Sequence, residues 1–298
     1  MKRKMHHIYK VGGHCFKVSG SSLCSVLERM TGFAPFEVAE GDGHVPEFFV
    51  MEGKSGNIPD FCERQYVFAH EGVEGIFGCT PDGYLLRLSP VKEESLLLWT
   101  DHEVNVCYLC GNWSARLVRF ALWIGYGIQT ASADTVAIHS SCIVYRQKAM
   151  LFLGESGTGK STHARLWQEH QAGAVLLNDD SPVVRLEQDK IWVYGSPWSG
   201  KTPCYRAERY ELGGCVRLSQ APFNQIIELG ILQSYAAIHP SSPPEFAYDA
   251  GLYEGISATL GKIVAQTPFY HLACLPDRGA VDLSCRTLFG GGDEADSE

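Results

Sequence analysis

Along residues 5–95, short apolar runs are separated by polar positions and glycine-rich breaks. His7–Val11, Cys15–Val18, Phe48–Met51 and Tyr84–Leu88 have strand character, and Gly12-Gly13, Gly41-Asp42-Gly43 and Pro81-Asp82-Gly83 punctuate them. That spacing predicts a small β-rich unit of hairpins and connected strands, and Glu94–Cys110 adds one or two strands more. Over Ser114–Ala131 the period changes. Leu117, Phe120, Ala121, Ile124 and Ile128 fall on one helical face, predicting a helix that lies on the sheet of a following core. Ala137–Tyr145 then reads as a strand, Arg146–Lys148 as a turn and Ala149–Leu153 as a fully buried strand. Ser161–Gln171 reads as a helix. Strands at Ala174–Leu177, Val183–Leu186, Ile191–Tyr194 and Ile226–Leu232 follow, with Gln188–Lys190 closing a hairpin and Ala250–Ala265 forming a helix.

The expected class is α/β, mixed with α+β character: a core with a mixed sheet and flanking helices, preceded by the smaller β-rich unit. Residues 1–95 form the N-terminal unit, 96–290 the core, and 291–298 a disordered acidic tail with almost no apolar content.

Composition narrows the partners. The chain has 298 residues, 45% hydrophobic and 20% charged, which suits folded domains with buried cores. Its net charge of −9 argues against a surface built to neutralise nucleic-acid phosphates. No apolar run reaches membrane-spanning length; the nearest, Phe120–Ile128, is short and follows Arg116 and Arg119. Eleven scattered cysteines and a basic start without an apolar continuation predict reduced thiols in a cytoplasmic protein. Cys107 and Cys110 form the single CxxC, and without a second pair they read as strand residues rather than metal ligands.

The chemistry concentrates in Gly154-Glu155-Ser156-Gly157-Thr158-Gly159-Lys160-Ser161, a complete G-x-x-x-x-G-K-[ST] between an apolar strand and a helical segment. In such a P-loop, glycines let successive backbone N–H groups turn inward on phosphate oxygens. The lysine reaches the β- and γ-phosphates, and the serine hydroxyl ligates magnesium. The helix N-terminus adds its dipole to the same anion. ATP and Mg2+ are therefore the expected cofactors, with Thr162 extending the loop. Asn178-Asp179-Asp180 follows an apolar run, which puts two carboxylates at a strand's C-terminal end, where ligands of open α/β sheets bind. One can hold the metal and the other can take a proton from an attacking hydroxyl; an Asx turn before Ser181-Pro182 is the alternative. His139 is either a core histidine or part of the site. Gly195–Thr202 is a glycine-rich segment whose Lys201 either meets a phosphate or is solvated.

Gly154–Thr162, with His139 upstream and Asn178-Asp179-Asp180 downstream, resembles the HPr kinase/phosphorylase and ATP-type phosphoenolpyruvate carboxykinase superfamily. The likeness spans His139 to Lys201, about a fifth of the chain. It implies that Lys160 contacts phosphates, that Ser161 ligates magnesium, and that Asp179 or Asp180 serves as the base or metal ligand, Asp179 being the candidate taken for the metal. His139 takes the place of a histidine that precedes the P-loop in HPr kinases. The implied activity is ATP-dependent phosphorylation of a hydroxyl, a serine of a protein or peptide. A small-molecule kinase and a nucleotide-gated binding module without transfer are the alternatives. Homo-oligomers are common in that family. The family's second signature beyond the Asp pair is missing, and Gly195–Thr202 stands there instead, which argues against HPr itself as acceptor.

Overall fold

The computed structural model describes residues 5–200 and 202–290. Lys201 and the predicted acidic tail 291–298 lie outside them. The chain is a mixed α/β protein in two compact units. One comprises the residues up to Ala133 together with Pro244–Gly255; the other comprises Asp134–Pro243 and the residues from Ile256 onward.

Among the described residues, the first unit is built on nine strands: β1 (His6–Val11), β2 (His14–Ser19), β3 (Glu37–Val38), β4 (Phe48–Glu52), β5 (Glu63–His70), β6 (Val73–Cys79), β7 (Tyr84–Pro90), β8 (Leu96–Asp101) and β9 (Val106–Gly111). Their order is β3-β1-β2-β4-β9-β8-β7-β6-β5. Strands β5 to β9 form an antiparallel meander, whereas β2–β4 and β4–β9 are parallel. Gly12 and Gly13, with φ of 57° and 80°, supply the positive backbone angles that close the β1–β2 hairpin. Helix α1 (Ser21–Leu27) and helix α2 (Ala115–Thr130) belong to this unit.

Two expectations change here. The boundary lies at Ala133/Asp134 rather than near residue 95, and α2 belongs to the N-terminal unit rather than to the core that follows. The cause is pairing: β8 and β9 are central strands of the first sheet, and α2 buries Leu117, Ala121, Ile124 and Ile128 within that unit. The backbone of Gly125 lies so close to the Cys107 thiol that a Cβ would stand 3.3 Å from its sulfur. Cys107 and Cys110 are indeed strand residues, in β9.

The second unit carries β10 (Thr135–Ala137), β11 (Ser140–Tyr145), β12 (Lys148–Leu153), β13 (Val175–Asp180), β14 (Val183–Glu187), β15 (Lys190–Tyr194), β16 (Arg209–Gln220), β17 (Gln225–Glu228) and β18 (Phe269–Cys274). The sheet order is β10-β14-β15-β16-β12-β11-β13, with β18 beside the far half of β16 and β17 beyond it. Strands β12, β16 and β18 run parallel. Helix α3 (Lys160–His170) covers the sheet with α6 (Arg278–Phe289), α4 (Ile231–Ile238) lies in the same unit, and α5 (Ala250–Gln266) has its first residues, to Gly255, in the first unit and the rest in the second. Phe152, Trp167, Ile143, Val216, Leu272 and Val281 form one buried cluster between α3, α6 and the strands. Truncating Phe152 or Trp167 to alanine there costs about 3–5 kcal/mol. The strand expected over Ile226–Leu232 ends at Glu228, because Gly230 starts α4 and the Gln233 side chain accepts from the Gly230 N–H. Among the described residues, no helix is long and apolar enough to cross a membrane.

Candidate functional site

The second unit brings the glycine loop, the Asp pair and His139 together. Ala149–Leu153 of β12 are buried apolar residues, so the chain reaches Gly154 as a rigid central strand and then turns. Gly157 and Gly159 have φ of 83° and 109°, angles that side chains with a Cβ rarely adopt. The Thr158 N–H and hydroxyl both donate to the Glu155 carbonyl, at 3.2 and 2.6 Å, and tighten the turn. Helix α3 starts at Lys160 directly after Gly159, with no side chain capping it. Its first backbone N–H groups and the positive end of its dipole are thereby directed at the loop.

Lys160 is only 8% exposed. Its Nζ donates to the carbonyls of Gly154 (2.8 Å) and Glu155 (3.1 Å) and lies 3.0 Å from His139 Nε2. Burial pulls the Lys160 ammonium below its ordinary range, opposed by the charges of Asp180 and Asp179 and assisted by Arg217.

Asp179 and Asp180 end β13, next to β11, where Ser141 is opposite Asp179 and Ser140 opposite Asp180. Asp179 is buried, and its Oδ1 accepts from the hydroxyls of Ser141 (2.5 Å) and Ser161 (2.9 Å). Asp180 is half-buried and faces the other way. Its Oδ1 lies 3.1 Å from His139 Nδ1. The Asp180 backbone has φ of 141°, a region seldom used outside glycine, and Ser199 bridges it from the Gly195–Thr202 segment. Gly200 N–H donates to the Asp179 carbonyl at 2.5 Å, and a Cβ on Gly200 would come within 3.1 Å of that oxygen. Strain of this kind, of order 1–3 kcal/mol, persists where surrounding contacts over-determine it, and clusters at functional sites.

Of the residues singled out by sequence, His139, Glu155, Lys160, Ser161, Asp179 and Asp180 converge on the glycine loop. Gly154, Ser156, Gly157, Thr158 and Gly159 form that loop, and Thr162 lies in the first turn of α3. Lys201 is not among the described residues. Three further residues escaped the sequence. Arg217 is held beside Leu153 by the parallel pairing of β12 and β16. Its guanidinium donates to the Ala237 carbonyl at 3.1 Å and lies 3.7 Å from the exposed Glu155 carboxylate. Ser141 had passed as an ordinary strand position. Gln220, also on β16, donates to the Gly157 carbonyl at 3.3 Å.

Chemically, the arrangement offers a turn of backbone amides, a buried ammonium and a guanidinium to an anion. Beside them stands a hard-oxygen pair, Ser161 Oγ and the Asp179 carboxylate, suited to a small divalent cation. No group of three or more His, Cys, Asp or Glu side chains among the described residues could hold a metal by itself, so a cation here would complete its shell with ligand oxygens or water. No known protein-family model and no curated protein matches the chain.

Proposed function

We propose that this chain is an ATP- and magnesium-dependent kinase, similar to HPr kinase in its P-loop core, that phosphorylates a hydroxyl, a serine of a protein or peptide. One observation carries the proposal: at the glycine loop, the consecutive residues Lys160 and Ser161 face the consecutive carboxylates Asp180 and Asp179, Ser161 bonding Asp179 directly and Lys160 reaching Asp180 through His139.

The residues fit a magnesium nucleotide. Loop amides of 155–160 and Lys160 would hold the phosphates, and Ser161 with Asp179 would face the metal. Magnesium, when bound, would neutralise charge on the phosphate oxygens. Lys160 supplies the buried positive charge that favours the transferring phosphoryl, and burial makes that charge worth more than it would be in water. Arg217, 3.7 Å from the Glu155 carboxylate of the loop, adds a second cation. Asp180, more exposed than Asp179, is the base that takes the acceptor proton, with His139 fixing its orientation. The acceptor oxygen bonds to the γ-phosphorus, the bond to the β-bridging oxygen breaks, the proton passes to Asp180, and ADP leaves with that electron pair.

The test is incubation with γ-labelled ATP, magnesium and a host lysate, followed by peptide mapping. The expected result is a labelled serine on one discrete protein or peptide. Lys160→Ala should abolish the label while losing little thermal stability. A variant that keeps full turnover but melts early would sink the assignment. Nucleotide binding without any labelled acceptor would instead favour a nucleotide-gated binding module.

A further inference from the structure

Two buried serines stand next to each other at the start of β11 and do different things. Ser140 is fully buried and donates to the Ile138 carbonyl at 3.1 Å. Ser141, 1% exposed, donates across the β11–β13 pair to Asp179 Oδ1 at 2.5 Å. A hydroxyl donated to a carboxylate makes a stronger bond than one between neutral partners.

We infer that Ser141 is a positioning residue for the metal-facing carboxylate: by committing its hydroxyl proton to Asp179 Oδ1, it sets the rotation of that side chain and keeps Oδ2 available to a divalent cation beside Ser161. The inference rests on the nucleotide site proposed above and adds a residue that the glycine-loop motif does not contain.

A serine hydroxyl carries one proton and two lone pairs. Ser161 lies on the exposed first turn of α3, so it can give its proton to Asp179 and turn its lone pairs toward a cation. It is thus a partner of Asp179 and a prospective ligand at once, and cannot by itself define the carboxylate's orientation. Ser141 has no such second task. It sits buried in the sheet, 1% exposed and opposite Asp179 by strand register. The Asp179 main chain is fixed independently, because its carbonyl accepts from Gly200 N–H and, at 3.3 Å, from the Ser199 hydroxyl. What remains free is rotation about the side-chain bonds, and the Ser141 bond removes it. Groups that orient metal ligands in this way typically govern about 10–100-fold in metal affinity.

The experiment uses the full chain with a non-hydrolysable ATP analogue. Mn2+ replaces Mg2+, and its binding is followed by electron paramagnetic resonance. Affinity for the analogue is measured separately in EDTA, and folding is monitored by thermal melting. Ser141→Ala is expected to weaken Mn2+ about tenfold or more and to leave metal-free analogue binding unchanged. Ser141→Cys keeps the branching of the side chain but offers a weak donor, so it should show the same loss if the alanine variant proves unstable. Ser140→Ala removes an equally buried hydroxyl from the same strand and should keep wild-type Mn2+ affinity. Unchanged Mn2+ affinity in both Ser141 variants overturns the inference, as does an equal loss in Ser140→Ala. If the wild type binds neither the analogue nor Mn2+ with it, the nucleotide site itself fails and the inference falls with it.

Discussion

His139 stands between a cation and an anion, with Nε2 3.0 Å from Lys160 Nζ and Nδ1 3.1 Å from Asp180 Oδ1. A charged ammonium can only donate, so Nε2 must accept and Nδ1 must carry the proton it gives to Asp180. The tautomer of His139 is therefore set by Lys160, and the orientation of Asp180 by His139. The lysine of the glycine loop and the carboxylate proposed as base are joined through one ring.

Asp180→Asn is accordingly expected to separate binding from transfer. An amide keeps the shape but cannot take the acceptor proton, and loss of such a group typically costs about 10²–10⁴-fold in rate. Nucleotide affinity should persist, because the loop and Lys160 remain. Single-turnover rates beside calorimetric binding make the comparison; an affinity loss as large as the rate loss would move Asp180 to the binding set.

Arg217 is half-buried and lies a long 3.7 Å from the exposed Glu155 carboxylate, a weak competitor for a phosphate. Arg217→Ala should weaken ATP by about 1.5–3 kcal/mol, the range for a hydrogen bond to a charged group. Calorimetric titration with ATP reads this directly, and an unchanged dissociation constant would remove Arg217 from the site.

Glu245 gives a test of the other unit alone. It is 5% exposed with Oε2 unpartnered, and burial lifts its carboxyl from the usual range to about 7. A carboxyl whose folded pKa is raised binds its proton more tightly in the folded state. Its contribution is fully present below the unfolded value of 4.5 and is lost as pH climbs through about 7. Glu245→Gln should therefore melt higher than wild type at pH 8, with the advantage shrinking or reversing at pH 4.5. Melting curves at the two values check it; a difference independent of pH would show that Glu245 is ionised in the folded protein.

Much of the site was legible because its information is local. The spacing of Gly154, Gly159, Lys160 and Ser161 describes a single turn between a strand and a helix. Glycines at positive φ, an apolar strand before and a helix after are all written within about a dozen residues. The hairpin turns at Gly12-Gly13 and Gln188–Lys190 were legible for the same reason. Strand ends were less so: the strand read over Ala174–Leu177 runs from Val175 to Asp180 and takes in Asn178, Asp179 and Asp180.

What only tertiary structure decided is which distant segments become neighbours. Arg217 reaches the loop through the parallel pairing of β16 with β12, and Gly213-Gly214 with scattered charges hid β16 from any alternation pattern. Ser141 gains its meaning from register, since a slip of one residue would turn its hydroxyl to the opposite face of the sheet. The unit boundary at Ala133 follows from β8 and β9 pairing back into the first sheet, contacts that no local period records. The sequence by itself determined the chemistry available at one loop; long-range strand pairing determined which other side chains share it, because hydrogen-bonded neighbours in a sheet are set by register rather than by nearness along the chain.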